Sequence, residues 1–267
     1  MATSWRGYRE VLAVPGVVPL TAVGFAGRLG YGMISLPALL LIAERFGGFG
    51  IAGVALAGYW VGATLAPVRG RLVDRFGGLA LVIMAVAHTV LIVPALWLPT
   101  SAPWAAVVLA TLAGVCAPVV GAVARRGWSA RLTEASPDLR SKAFSFDSVV
   151  EELCFVLGPA LAGLVVAVSG ADVALVAAAL LLLAGSLGLA VVAAPRQRTA
   201  SAEGSTGAPT THPRLAGPAR ATVLRAALSV VTLGAAIGLV DVGVPALAQE
   251  QGHVGWSGPL LALYTVG

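Results

Sequence analysis

Charge is what this sequence has least of. Asp, Glu, Lys and Arg make up 11% of its 267 residues, against about 25% in soluble domains. A chain so poor in charge cannot cover a water-facing surface, which excludes a soluble globular domain and leaves lipid as its natural solvent. Lysine is nearly missing: of the 17 basic residues only Lys142 is a lysine, and it stands between apolar runs. That excludes a seven-helix retinal protein, which needs a lysine in its last helix for the Schiff base. The two cysteines, Cys116 and Cys154, both lie inside apolar runs and give no disulfide framework. Among the three histidines only His88 falls in the middle of an apolar run, where packing or a hydrogen bond is the commoner role and titration the rarer one. There is no His-Glu-x-x-His metal motif and no Gly-x-Ser-x-Gly turn, so nothing points to an intramembrane enzyme, a bound metal or a cofactor.

What is abundant is apolar sequence, 58% of the residues, with a mean hydropathy of +0.91. A membrane-spanning helix needs roughly 20 apolar residues. The runs that meet this predict about seven spans: Val17–Ile42, Ile51–Val68, Leu79–Leu98, Trp104–Val123, Phe144–Val168, Val173–Ala193 and Ala221–Leu247. An eighth run begins near Trp256 and is too short to span before Gly267, so the sequence is expected to be C-terminally truncated. The net charge of +5 does not indicate nucleic acid, because the basic residues recur in short clusters between spans. With the N-terminus in the cytoplasm, every basic residue except Arg28, within the first span, and Arg45, in an outer loop, falls on the inner side. That asymmetry is the positive-inside pattern of a multi-pass protein of the cell (inner or plasma) membrane. Arg6 and Arg9 precede a first span too long for a signal peptide, which is expected to stay as an anchor.

Residues Pro195–Ala219 are polar and rich in Gly, Ser, Thr and Pro, the composition of a flexible joint. The expected organisation is a six-helix bundle over 1–194, a cytoplasmic linker over 195–219, and the start of a second bundle over 220–267. An internal repeat supports it. Gly53–Gly62 aligns with Gly258–Gly267 at six of ten positions, and Pro37-Ala-Leu with Pro245-Ala-Leu upstream. Parallel repeats of this kind build transporters from two related halves.

Between the second and third spans the sequence reads Gly70-Arg-Leu-Val-Asp74-Arg75-Phe-Gly77. This resembles the loop 2–3 signature of the major facilitator superfamily, Gly-x-Leu-x-Asp-Arg-x-Gly, although Gly78 and Leu79 replace its two trailing basic residues. The segment is expected to be a short cytoplasmic turn. The resemblance makes it a gate, in which Gly70, Asp74, Arg75 and Gly77 matter and the aspartate meets a helix N-terminus. In the fifth span, Gly158, Pro159 and Gly163 are similar to the Gly-Pro-rich packing motif of the family's proton-coupled drug antiporters. Small residues there let helices approach closely. The family's arginine in mid-span 4 has no counterpart in Gly114–Ala122. The resemblance implies an all-α membrane protein, a six-helix half of a major facilitator fold with helix 7 and part of helix 8, working by alternating access.

Ionisable groups inside a membrane cost roughly 2.5–3.5 kcal/mol each on insertion scales and are kept for a partner or an aqueous cavity. Arg28 lies about ten residues, roughly 15 Å, into the first span, and Glu152 about eight residues, roughly 12 Å, into the fifth. The two spans run in the same direction, so Arg28 is expected to face Glu152 across a central cavity, with Glu151 or Glu152 as the proton-linked carboxylate; the alternative is a structural ion pair that locks the bundle. Asp241 in the seventh span either lines that cavity or caps locally before Pro245. Asp147 is placed at the membrane interface, as are Arg125, Arg126, Trp128 and Arg131. The expected partners are the lipid bilayer, a small-molecule substrate and protons. The leading expectation is proton-coupled efflux of a small amphipathic solute, since Ala, Val, Leu and Gly walls suit such a molecule. The alternatives are a metabolite uptake carrier of the same fold and a non-transporting fragment.

Overall fold

The structure, a computed structural model, describes residues 4–200, 232 and 236–266, and among these every element is helical. A short amphipathic α1 (Ser4–Leu12) precedes α2 (Val17–Met33) and α3 (Ser35–Phe46), which run on as one 30-residue span. Their junction lies at Ile34, where Pro37 has no N–H to offer the carbonyl of Met33. Gly47, at a φ of 73°, ends the span.

The second span is bent. α4 (Phe49–Ala63) and α5 (Ala66–Phe76) meet at 46°, with Pro67 in the first turn of α5. The Gly70–Gly77 segment is therefore helical up to Phe76, where a turn was expected. The turn itself is Gly77, whose φ of 62° and ψ of −144° suit glycine alone. The next helix, α6 (Gly78–Ile92), covers about 22 Å. The 3₁₀ segment Val93–Trp97 adds about 10 Å, completing the third span. α7 (Pro103–Cys116) and α8 (Val120–Arg131) form the fourth, 29 residues long and broken at Pro118.

α9 (Pro137–Ser169) is the longest helix, at 33 residues. It starts two turns before its apolar run because Ser136 caps it, accepting a hydrogen bond from the Leu139 amide (3.2 Å), and Pro137 opens its first turn. α10 (Ala171–Ala200) forms the sixth span and runs on past Pro195. Of the expected linker, 201–219 lies outside the described residues, as does most of the first half of the seventh span. The described remainder of that span, α11, covers 236–250. A 3₁₀ turn at Val254–Trp256 then leads into α12 (Ser257–Val266).

Backbones meet closely at small residues, as packing in lipid requires. A Cβ on Gly30 of α2 would lie 2.8 Å from the Ala178 carbonyl of α10, and one on Gly158 of α9 would lie 2.7 Å from the Gly32 backbone of α2. Trp128 and Leu20 are fully buried at the arginine-rich end, and Leu175 and Leu182 on the face of α10 turned to the bundle.

Candidate functional site

The intramembrane charges form a network centred on a residue that the sequence reading put at the interface. Arg28 donates from Nη1 to Asp147 Oδ1 (2.7 Å) and from Nη2 to Asp147 Oδ2 (3.0 Å), a bidentate pair whose side chains are 7% and 2% exposed. Arg125 Nε approaches the same carboxylate at 3.3 Å, and Arg125 Nη2 pairs with Glu151. Arg28 thus does not face Glu152, which is exposed. Two physical reasons account for the correction. Helical side chains lean toward their own N-terminus, so the long Arg28 side chain reaches down α9 toward its start. And Asp147, Glu151, Cys154 and Gly158 repeat every three or four residues along one face, whereas Glu152 sits about 140° around the helix from Asp147 at 3.6 residues per turn.

Arg125 reaches the network because α8 continues to Arg131. The other residues expected to anchor that end also make contacts within the protein, Arg126 at its surface and Trp128 and Arg131 inside it. Arg126 pairs with Asp74, Trp128 is fully buried against Phe146, and Arg131 donates to the Val192 carbonyl at 3.0 Å. The signature carbons and charges of α5 divide accordingly. Asp74 is held by Arg126, Arg75 lies 5.3 Å from the Phe76 ring, and Gly70 has open space where a Cβ would be.

Above the network lies a cavity of about 270 Å³ between α2, α5, α8 and α9, near the lower end of ligand pockets at roughly 300–1,000 Å³. Arg28, Tyr31, Arg69, Glu151, Cys154 and Phe155 line it. Arg69 was read as one of the loop arginines that set topology. It is instead 6% exposed and held by main chain: Nη1 donates to Gly114 O (3.1 Å) and to Ala117 O, and Nη2 to Ala63 O (2.5 Å). The broken ends of α4 and α7 supply these carbonyls: Pro67, four residues after Ala63, has no N–H to offer it, and Gly114 O is shared between Arg69 and the Ala117 amide (3.2 Å). Nothing in the Gly-x-Leu-x-Asp-Arg pattern singles out the residue before it, so only the helix breaks at Thr64 and Pro118 could have signalled this role.

The remaining candidates lie apart from the cavity. His88 is fully buried, its Nδ1–H donating to Ala113 O (2.9 Å) and its ring edge-on to Tyr59. Asp241 is half-buried on α11, whose neighbour Val242 packs near Gly53 of α4, and it does not line the cavity. Gly158 seats α9 on α2. Gly163 seats α9 on α12, where its Cβ would lie 2.6 Å from Gly258, and Pro159 continues the helix between them.

The sequence profile of the Major Facilitator Superfamily matches residues 20–267. No curated protein and no solved structure matches the chain significantly.

Proposed function

The chain belongs to the Major Facilitator Superfamily, and from that premise we propose that it is a proton-coupled exporter of a small amphipathic solute in the cell membrane, with its N-terminus cytoplasmic. In this reading residues 1–194 are one bundle, 195–219 the joint and 220–267 the beginning of the second. Asp74 and Arg75 belong to the gate, and Gly158, Pro159 and Gly163 to the packing of α9.

One observation carries the reading: a cavity within an apolar bundle is bordered by Arg28 and Glu151, both tied through Arg125 and Asp147. Asp147 is enclosed, its side chain 2% exposed, and serves as the fixed counter-charge. Glu151, with its side chain 25% exposed and its partner Arg125 52% exposed, is the carboxylate that water and solute can reach. Solute and proton occupy the site in turn: Glu151 carries a proton while Arg125 is drawn off it, and an arriving solute expels that proton as the Glu151–Arg125 pair re-forms, so the two cross in opposite directions. Glu152 and Asp241 have no part in this cycle.

The test uses everted membrane vesicles energised with a pH gradient, and records proton flux when phenylalkyl solutes are added. The wild-type chain gives solute-dependent proton release. Glu151→Gln abolishes it while the protein remains in the membrane, and Glu152→Gln leaves it within twofold of wild type. Undiminished coupling in Glu151→Gln, or none in the wild type, overturns the proposal.

A further inference from the structure

The charges around the cavity do not balance. Arg28 and Arg125 are matched by Asp147 and Glu151. Arg69, on the opposite wall, makes no ion pair among the described residues. Its three acceptors are all main-chain carbonyls. A guanidinium carries five N–H donors in a rigid fork. The two hydrogens of Nη1 go to Gly114 O and Ala117 O, and one of Nη2 goes to Ala63 O. That leaves Nε–H, which is buried without a partner, and the second hydrogen of Nη2. Nε and Nη2 flank one edge of the guanidinium, the edge that takes two oxygens of a carboxylate or phosphate. Arg28 repeats the pattern from the facing helix: its end-on nitrogens hold Asp147 while Nε–H, also buried, has no partner.

A structural role explains part of this. Arg69 caps the carbonyl ends of α4 and α7, where the helix dipoles favour a cation. Capping does not supply a counter-charge: Arg69 lines the cavity, and among the described residues no carboxylate lies within ion-pair distance of it. We infer that the cavity takes an anion: a solute with a carboxylate- or phosphate-type head bound by Arg69, the lining arginine without a carboxylate partner, and an apolar body against Tyr31 and Phe155. The inference rests on the reading of this cavity as the transport site and adds the charge of the substrate. The caps hold the Arg69 fork in place, so the anion meets a guanidinium already oriented.

Three probes share one body and differ in charge: 4-phenylbutyrate, 4-phenylbutanamide and 4-phenylbutylamine. Equilibrium binding of radiolabelled probes is measured on the purified chain in phosphatidylcholine nanodiscs, with empty discs subtracted. The anion binds at least tenfold more tightly than the amide, and the amine least. Arg69→Gln removes the anion's advantage over the amide, while Arg69→Lys, which keeps the charge and loses the fork, retains part of it. An amine that binds as well as the anion overturns the inference and leaves the transport reading standing. So does an anion-to-amide ratio that survives in an Arg69→Gln protein melting like wild type. Should Arg69→Gln fail to fold, the order of the three probes on the wild type and on Arg69→Lys decides. Binding of none of the three overturns the inference together with the transport site.

Discussion

Arg28 and Asp147 solvate each other where water is excluded. With side chains 7% and 2% exposed and two parallel hydrogen bonds between them, each is tolerable inside the bundle only because the other is there. Removing one partner leaves a buried charge unmatched, so Asp147→Ala lowers stability by about 3–5 kcal/mol, the usual cost of breaking a buried pair. Replacing both with apolar residues of similar size, as in Arg28→Met with Asp147→Leu, removes both desolvation penalties and recovers most of the loss. Thermal unfolding in detergent of the two single variants and the double variant checks this. A double variant no more stable than Asp147→Ala contradicts an unmatched Arg28 charge as the cause of the loss. At this scale the sequence announced that charges stood inside the membrane, and composition alone made Arg28 conspicuous. Its partner was hidden because Asp147 precedes the densest part of the apolar run, and only the capped extension of α9 from Ser136 brings it inside.

At the scale of elements, the spans were legible because lipid tolerates nothing else over 20 residues, and each of the first six expected runs coincides with helix. Their ends and bends were not legible. Hydropathy stops at the last apolar residue, whereas helices stop at caps: α8 carries Arg125 and Arg126 beyond its apolar stretch, and α5 carries the whole Gly70–Phe76 signature as helix. Rotational phase was the other missing quantity, and it is phase that set Asp147 and Glu151 on the face with Gly158 and turned Glu152 away. That phase depends on the contact between Gly32 and Gly158. A Cβ at either position meets opposing backbone, 2.9 Å from Cys154 O for Gly32 and 2.7 Å from the Gly32 backbone for Gly158. Gly158→Ala and Gly32→Ala therefore each destabilise the bundle by about 1–3 kcal/mol, the range for overpacking, and weaken solute-dependent proton flux by pulling α9 from Arg28. Gly50→Ala is the control: it has open space in the first turn of α4, and a helix favours alanine over glycine. Equal melting temperatures for Gly158→Ala and Gly50→Ala contradict the close packing.

Over the whole molecule, charge is segregated along the bundle. Arg69, Arg75, Arg125, Arg126, Arg131 and Arg140 gather toward one end, together with α1 and the start of α9. At the other end Arg45 is tied down locally by the Leu98 carbonyl at 2.6 Å. With the basic end inside, an anion loaded from that side leaves along an inside-negative potential, which contributes about 2.3 kcal/mol per charge per 100 mV. An anionic substrate and an outward direction then reinforce each other, and both depend on the orientation. The chain supplies its own reporter for it. Lys142 is the one lysine. It sits near the start of α9 with its side chain 37% exposed, paired with Asp138 (2.6 Å) and Glu10 of α1 (3.4 Å). A membrane-impermeant amine reagent should therefore leave Lys142 unmodified in intact cells and modify it in everted vesicles, read on the peptide that carries it. Labelling of Lys142 in intact cells would place the basic end outside, against the positive-inside rule, and would reverse the direction argued for transport.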